Sequence, residues 1–348
     1  MKRFLIHISQ GYSIPIGKPL QKEIRERGYE VKWFSETENA KKYLTAEEEL
    51  LETIQEVMDY NPHIVLVATD SVPHFFPGIK VEIFHGFLVN KWSFKKGHFR
   101  IRGFFDLYCT QGPSTTGPFN ELKKKHGYFE VVETGWSKVD PLFEETNTLQ
   151  RINDKPTVLI SSTFTTRYSL AKIPEVYEEI KRLSLLGKWQ FLVILHPMMD
   201  PAIVEKFKNL ENENLKYFDT TDIIPILKIA DVMFSDTTSA IPEFILQRKP
   251  VVTFRNTKPL PHLMNIEKVE DIEKTIEKAF SYPKEVLKEI DEYIEYTHPY
   301  RDGKSSKRIV DATLAFLEKD RSYLKKKPLN LLRKFKMRKK LGYWTLKL

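Results

Sequence analysis

The sequence predicts an α/β protein made of two parallel-sheet domains. Three observations carry this reading. The chain has 348 residues, enough for two cores. Its composition, 41% hydrophobic and 12% aromatic, suits a globular chain. Short apolar runs alternate with helical patterns almost throughout, as in a parallel sheet covered by helices.

In the first half, Arg3–Ile8 reads as a buried strand, followed by a loop holding Gly11 and Gly17. A helix over Pro19–Arg27 stops at Gly28, and Glu30–Phe34 is the next strand. Ala46–Tyr60 reads as one amphipathic helix closed by Asn61-Pro62. Strands follow at His63–Ala68, Val81–Phe84, Phe105–Thr110 and Phe129–Thr134, with a helix over Phe119–His126.

Residues 144–156 are polar and turn-rich and read as a linker. Beyond it, strands are expected at Thr157–Ser161, Phe191–Leu195, Leu215–Phe218, Val232–Ser235 and Val251–Phe254. Helices are expected at Pro174–Leu186, Ala202–Leu210, Ile223–Ile229 and Ile241–Gln247, with a long helical region from about Val269 to Glu318. The expected domains are therefore 1–143 and 157–320, two facing Rossmann-like units with a cleft between them, then a tail over 321–348. Ligands bind such sheets outside the carboxyl ends of the strands, so chemistry is sought in the loops that follow them.

Charge narrows the class. The formal net charge is +8, yet residues 321–348 hold eleven Lys or Arg and no acid. Subtracting those eleven from +8 leaves −3 for residues 1–320. A slightly acidic body with a cationic end does not offer nucleic acid a basic folded face, and no nucleic-acid partner is expected. A single cysteine, Cys109, rules out an internal disulfide and a thiolate cluster and fits a reducing compartment. No apolar run reaches membrane-spanning length, and the short apolar start does not read as a secretory signal.

The strongest candidate site is Ser235-Asp236-Thr237-Thr238-Ser239, where an apolar strand runs into a helix. A helix start offers N–H donors and partial positive charge, which suit a phosphate. The hydroxyls add donors without bulk. One capping residue would suffice for the helix, and here there are five. Glu243, one turn on, is placed to accept from a ribose. His196 follows the apolar strand Phe191–Leu195, and His85-Gly86 ends a strand of the first half. Two strand-end histidines suit transfer from a nucleotide diphosphate, one taking a proton from the acceptor hydroxyl and the other stabilising phosphate charge. Gly135 and Lys138 follow the last strand of the first half, and Ser306 and Arg308 open the helix at Ile309–Leu317. No Asp-x-Asp pair occurs, so neither a metal nor another cofactor is expected.

Taken in order, His85-Gly86, Thr134-Gly135-x-x-Lys138-x-Asp140-x-Leu142-Phe143, Leu195-His196-Pro197, Ser235–Ser239, Lys249-Pro250 and Asp302-Gly303-Lys304-Ser305-Ser306-x-Arg308 resemble the CDP-glycerol glycerophosphotransferase family. The resemblance spans about 80 to 317. It implies a GT-B fold and transfer of glycerol phosphate from CDP-glycerol to a hydroxyl of a lipid-linked acceptor, with release of CMP, in teichoic-acid or capsule synthesis. It also implies that His85 and His196 are catalytic, and that Asp236–Ser239, Ser306 and Arg308 bind the donor phosphates.

Two departures stand out. Phe87-Leu88-Val89-Asn90-Lys91 replaces the family's Thr-Pro-Leu-Lys after His-Gly, and Thr237-Thr238 replaces Tyr-Ser. The family's large membrane-binding insertions are missing, which points to single addition rather than long-chain polymerisation. Alternatives are a GT-B glycosyltransferase using a nucleotide sugar, a UDP-N-acetylglucosamine 2-epimerase-like enzyme, and a non-catalytic binding protein.

In the tail, basic residues interleave with Leu329, Leu331, Leu332, Phe335, Met337, Leu341, Tyr343, Trp344 and Leu346. That mixture suits an anionic membrane surface. The expected location is cytoplasmic, peripheral on the inner face of the cell membrane.

Overall fold

The computed structural model describes residues 1–87, 99–145 and 149–344. The departure at Leu88–Lys91, three linker residues and the last four residues of the tail lie outside them. The chain divides into two compact units, Met1–Pro141 with Thr297–Leu348, and Leu142–Tyr296.

Unit 1 holds a seven-stranded parallel sheet in the order β3-β2-β1-β4-β5-β6-β7. The strands are β1 Arg3–Ile8, β2 Glu30–Ser35, β3 Leu50–Leu51, β4 Ile64–Val67, β5 Ile79–Glu82, β6 Leu107–Thr110 and β7 Glu130–Glu133. Its helices are α1 Ile14–Glu26, α2 Glu38–Lys41, α3 Ile54–Tyr60 and α4 Pro113–His126. The sheet reverses its order at β1, which has β2 on one side and β4 on the other. The core on one face gathers Leu5, Val65, Val67, Phe84, Tyr108, Phe119 and Phe129.

The single helix expected over Ala46–Tyr60 is instead a 3-10 turn, a short strand and α3. Glu49 sits in the left-handed region at φ 43, which stops the first turn. Leu50 and Leu51 then pair with Trp33 and Phe34. Thr53 restarts the helix by accepting from the Glu56 N–H at 3.1 Å. Local periodicity missed this because two residues joined a sheet edge.

Unit 2 holds a six-stranded parallel sheet in the order β10-β9-β8-β11-β12-β13. Its strands are β8 Thr157–Ser162, β9 Gln190–Leu195, β10 Leu215–Tyr217, β11 Val232–Ser235, β12 Val251–Phe254 and β13 Leu263–Ile266. The helices are α5 Pro174–Leu186, α6 Pro201–Lys208, α7 Ile224–Ile229, α8 Ala240–Ile245, α9 Ile272–Phe280 and α10 Lys284–Thr297. Every residue of β8, β9, β11 and β12 is buried, as expected of strands covered on both faces. Strand β13 was not expected; its Leu263, Met264 and Asn265 are only half-buried, so its apolar signal is weak.

The two parallel-sheet units bear out the expected α/β fold of two Rossmann-like domains. The expected domain limit at residue 320 is corrected: residues from Thr297 onward belong to unit 1. The helix α11, Ser305–Glu318, packs on α1 and β6 through an apolar stripe including Ile309, Val310 and Phe316. The tail continues into α12, Leu331–Leu341. Among the described residues no helix is long and apolar enough to cross a membrane.

Candidate active site

In unit 2 the sheet reverses its order at β8, which pairs with β9 on one side and β11 on the other. Such a switch point opens a crevice at the strands' carboxyl ends. Ser162, His196 and Asp236 all stand at that end. The Asp236 side chain is fully buried. It accepts from Ser162 Oγ at 2.6 Å, from the Thr163 N–H at 3.1 Å and from the Leu170 N–H at 3.0 Å. Burial pushes its carboxyl up to about 6, against the pull of these donors.

Asp236 therefore ties the loop 163–170 to the end of β11. Ser235 Oγ likewise donates to the Ser161 carbonyl at 2.6 Å. Thr237 Oγ1 accepts from the Thr257 N–H at 3.1 Å, and Asn256 Nδ2 donates to the Asp236 carbonyl at 2.6 Å. The segment is thus braced to the loops after β8 and β12. Thr238 Oγ1 accepts from the Ala240 N–H at 3.4 Å. Ser239, the N-cap residue of α8, makes no side-chain cap and is exposed. Glu243 is buried. Of the five residues read as a donor site, Ser235 and Asp236 are turned inward and Ser239 outward.

His196 is half-buried at the end of β9, its ring 4.5 Å from that of Phe164. Its Nδ1 accepts from the Met198 N–H at 3.1 Å. The neutral ring therefore carries its proton on Nε2. Lys249, of the Lys-Pro motif, donates to the carbonyls of Lys228 and Ala230 at 2.8 and 2.6 Å, closing the end of α7.

Unit 1 carries His85 three residues beyond β5, after Phe84 at φ 57. Trp136 Nε1 donates to the Phe84 carbonyl at 3.2 Å, and Gln111 Nε2 to the Gly86 carbonyl at 3.1 Å. Asp70 Oδ1 lies 3.9 Å from His85 Nδ1, and the other oxygen of Asp70 pairs with Arg102 at 2.9 Å. Burial lowers the His85 imidazole below its usual value, although Asp70 pulls it up. Beneath them Glu82 is buried and its carboxyl is pushed well above the usual range by desolvation and by Asp70.

The segment 134–141 and the motif 302–308 form one bonded group within unit 1. Asp140 accepts from Ser305 N–H, Ser306 N–H and Ser306 Oγ at 2.8, 2.7 and 2.6 Å. Arg308 pairs with Asp302 at 2.8 Å and lies 4.1 Å from the Tyr300 ring centroid. Gly135 has φ 81, and a Cβ there would meet Ser305 Oγ at 2.4 Å. Lys138 is half-buried, its Nζ 5.4 Å from the Trp136 ring.

Ser306 and Arg308 were expected to hold donor phosphates together with 236–239. The structure engages them with Asp140 and Asp302, in the other unit. The sequence reading missed Ser162, Thr163, Asp70 and Arg102. Ser161-Ser162-Thr163 after an apolar strand repeats the signal of 235–239 and was legible. Asp70 and Arg102 have no sequence pattern linking them to His85. Among the described residues no group of His, Cys, Asp and Glu is placed to hold a metal ion.

No protein-family model matches this sequence, and no curated protein sequence does. Solved structures do resemble it. The chain is similar to wall teichoic acid polymerase TagF, in a variant soaked with CDPG, at 12% identity over 91% of this chain and 89% of that one, with a TM-score of 0.67. It is similar to S. aureus MnaA, in a structure with UDP, at 16% identity over 94% and 99%, with a TM-score of 0.64. A UDP-N-acetylglucosamine 2-epimerase matches at 15% identity over 94% and 98%, with a TM-score of 0.61. At these identities the likeness establishes the fold: two Rossmann-like domains of the GT-B type.

Proposed function

We propose that the chain is a transferase that moves glycerol phosphate, or a related polyol phosphate, from a CDP-activated donor to a hydroxyl of a lipid-linked acceptor. The observation that carries this reading is the bracing of 235–239 by Asp236 at the switch point of unit 2, beside His196. The ordered resemblance of the motifs and the fold shared with TagF support it. In this reading Asp236 is a positioning residue, and the donor phosphates meet Thr238, Ser239 and the start of α8. Gly135, Ser306 and Arg308 also brace the 134–141 segment within unit 1, and their share in donor binding rests on the motif resemblance.

The acceptor oxygen attacks the glycerol-bearing phosphorus, the bond from that phosphorus to the bridging oxygen breaks, and CMP leaves with the electron pair. The hydroxyl proton passes to His85, which desolvation keeps available as a base. His196, carrying its neutral-state proton on Nε2, donates to a phosphate oxygen.

A second reading, an enzyme acting on a UDP-sugar, is favoured by the comparable fold likeness to MnaA and the 2-epimerase. A thermal-shift panel of CDP-glycerol, CDP-ribitol and UDP-N-acetylglucosamine separates the two. Stabilisation by the CDP compounds, followed by CMP release with acceptor, is expected. A response to the UDP-sugar alone overturns the proposal.

We place the enzyme at the inner face of a membrane. Leu331, Leu332 and Phe335 lie on one face of α12 and are exposed, and Lys339 shares that face. An apolar stripe flanked by cations suits an anionic lipid surface.

A further inference from the structure

A cavity of about 520 Å³ lies in unit 1 at the carboxyl ends of β1, β2 and β4. This is where the sheet of unit 1 reverses its order, the second such switch point in the chain and one that the donor reading does not use. Its floor includes His7, Glu36, Thr69 and Asp70, and its roof is α12.

The helix is docked rather than trailing. Asn330 Nδ2 donates to the Arg102 carbonyl at 2.5 Å just before it starts, and Lys327 Nζ pairs with Asp106 at 2.7 Å. After it ends, Tyr343 stacks on Phe75 with centroids 4.5 Å apart. Spacing along α12 explains its double character. Arg333, Lys336, Met337, Lys340 and Leu341 follow i, i+3, i+4, i+7, i+8 and share the face that lines the cavity. Leu331, Leu332 and Phe335 occupy the opposite face.

The lining holds four Lys or Arg against two carboxylates. Asp70 is matched by Arg102, and Glu36 by His7 Nε2 at 2.9 Å and Lys340 at 3.5 Å. Among the described residues, Arg333 bonds only to the Arg102 carbonyl and the Asn330 side chain, and neither Arg333 nor Lys336 makes an ion pair. The roof thus presents uncompensated positive charge to a pocket whose walls also carry Ser9, Thr37 and Thr69 hydroxyls. Its size is that of a small-molecule site. Asp70 connects the pocket to His85 at 3.9 Å.

We infer that this cavity binds a phosphate ester of a polyol, its anionic group held by Arg333 and Lys336 and its hydroxyl end lying toward Asp70 and His85. This deepens the proposed function, on which its assignment as the acceptor site rests. The tail helix then serves the site as well as the surface.

The test measures binding of sn-glycerol 3-phosphate and of inorganic phosphate to the full chain by calorimetry, beside binding of CDP and of phosphatidylglycerol vesicles. Both altered side chains are exposed, so Arg333→Ala with Lys336→Ala is expected to keep the melting temperature and CDP affinity. Glycerol 3-phosphate affinity should fall at least about tenfold, as for lost charged hydrogen bonds. Lys336→Arg should retain most of it. Leu332→Ser with Phe335→Ser should weaken vesicle binding and leave glycerol 3-phosphate binding unchanged. The inference is overturned if the unaltered protein binds neither phosphate probe, if the Arg333/Lys336 variant binds glycerol 3-phosphate normally, or if that variant loses vesicle binding alone. Failure to bind CDP compounds while the glycerol 3-phosphate result holds would sink the donor reading and leave the cavity assignment intact.

Discussion

Asp140 accepts the backbone N–H groups of both Ser305 and Ser306, at 2.8 and 2.7 Å, and so caps α11 from 165 residues away along the chain. Two motifs that look like separate ligand loops are one bonded structure. Burial raises the Asp140 carboxyl while the Ser306 and Ser305 donors oppose the rise. Asp140→Ala leaves buried donors unanswered and should cost about 2–4 kcal/mol, read as a lower urea midpoint. Asp140→Asn, which keeps one acceptor oxygen, should cost less.

Gly135→Ala tests the same junction from the other side. Its φ of 81 and the 2.4 Å approach of Ser305 Oγ leave no room for a methyl group. A loss of roughly 1–3 kcal/mol is expected. Normal stability would show that the junction yields.

Asp236 links stability to pH. Its carboxyl, near 3.8 when unfolded, sits at about 6 in the fold. A raised carboxyl favours the folded state at low pH, and this contribution disappears as pH rises through 6. Stability should therefore fall between about pH 4 and 6 by up to roughly 3 kcal/mol from this group. Asp236→Asn should flatten that part of the denaturation-versus-pH curve. An unchanged slope would place the carboxyl elsewhere.

His85 and His196 separate chemistry from structure. Each replaced by Ala should lower CMP release by about 10²–10⁴-fold, with nucleotide binding to unit 2 retained in the His85 variant. Turnover within a few-fold of the original would remove that histidine from the mechanism.

Asp70 raises the His85 imidazole and Arg102 lowers it, both secondary to burial. Asp70→Asn should therefore move the acidic limb of the kcat/KM profile to lower pH. A shift in the opposite direction would show that Asp70 does not face the ring as a charge.

Apolar strands were the most legible part of the chain: β1 and β12 end with their last apolar residue and β11 one residue later, because a strand buried on both faces is apolar along most of its length. Short or half-exposed strands, β3 and β13, were not, since their pairing depends on a neighbour rather than on their own residues. The strand ends at His85, His196 and 235–239 were likewise visible, because a parallel sheet puts its loops where ligands bind. Sequence alone determined two parallel sheets, those strand ends and a cationic tail. Tertiary structure decided the rest, namely that Asp236 turns inward, that Ser306 belongs with Asp140, and that the tail helix roofs a cavity. Each depends on a partner far along the chain, and side-chain direction is set by packing rather than by spacing.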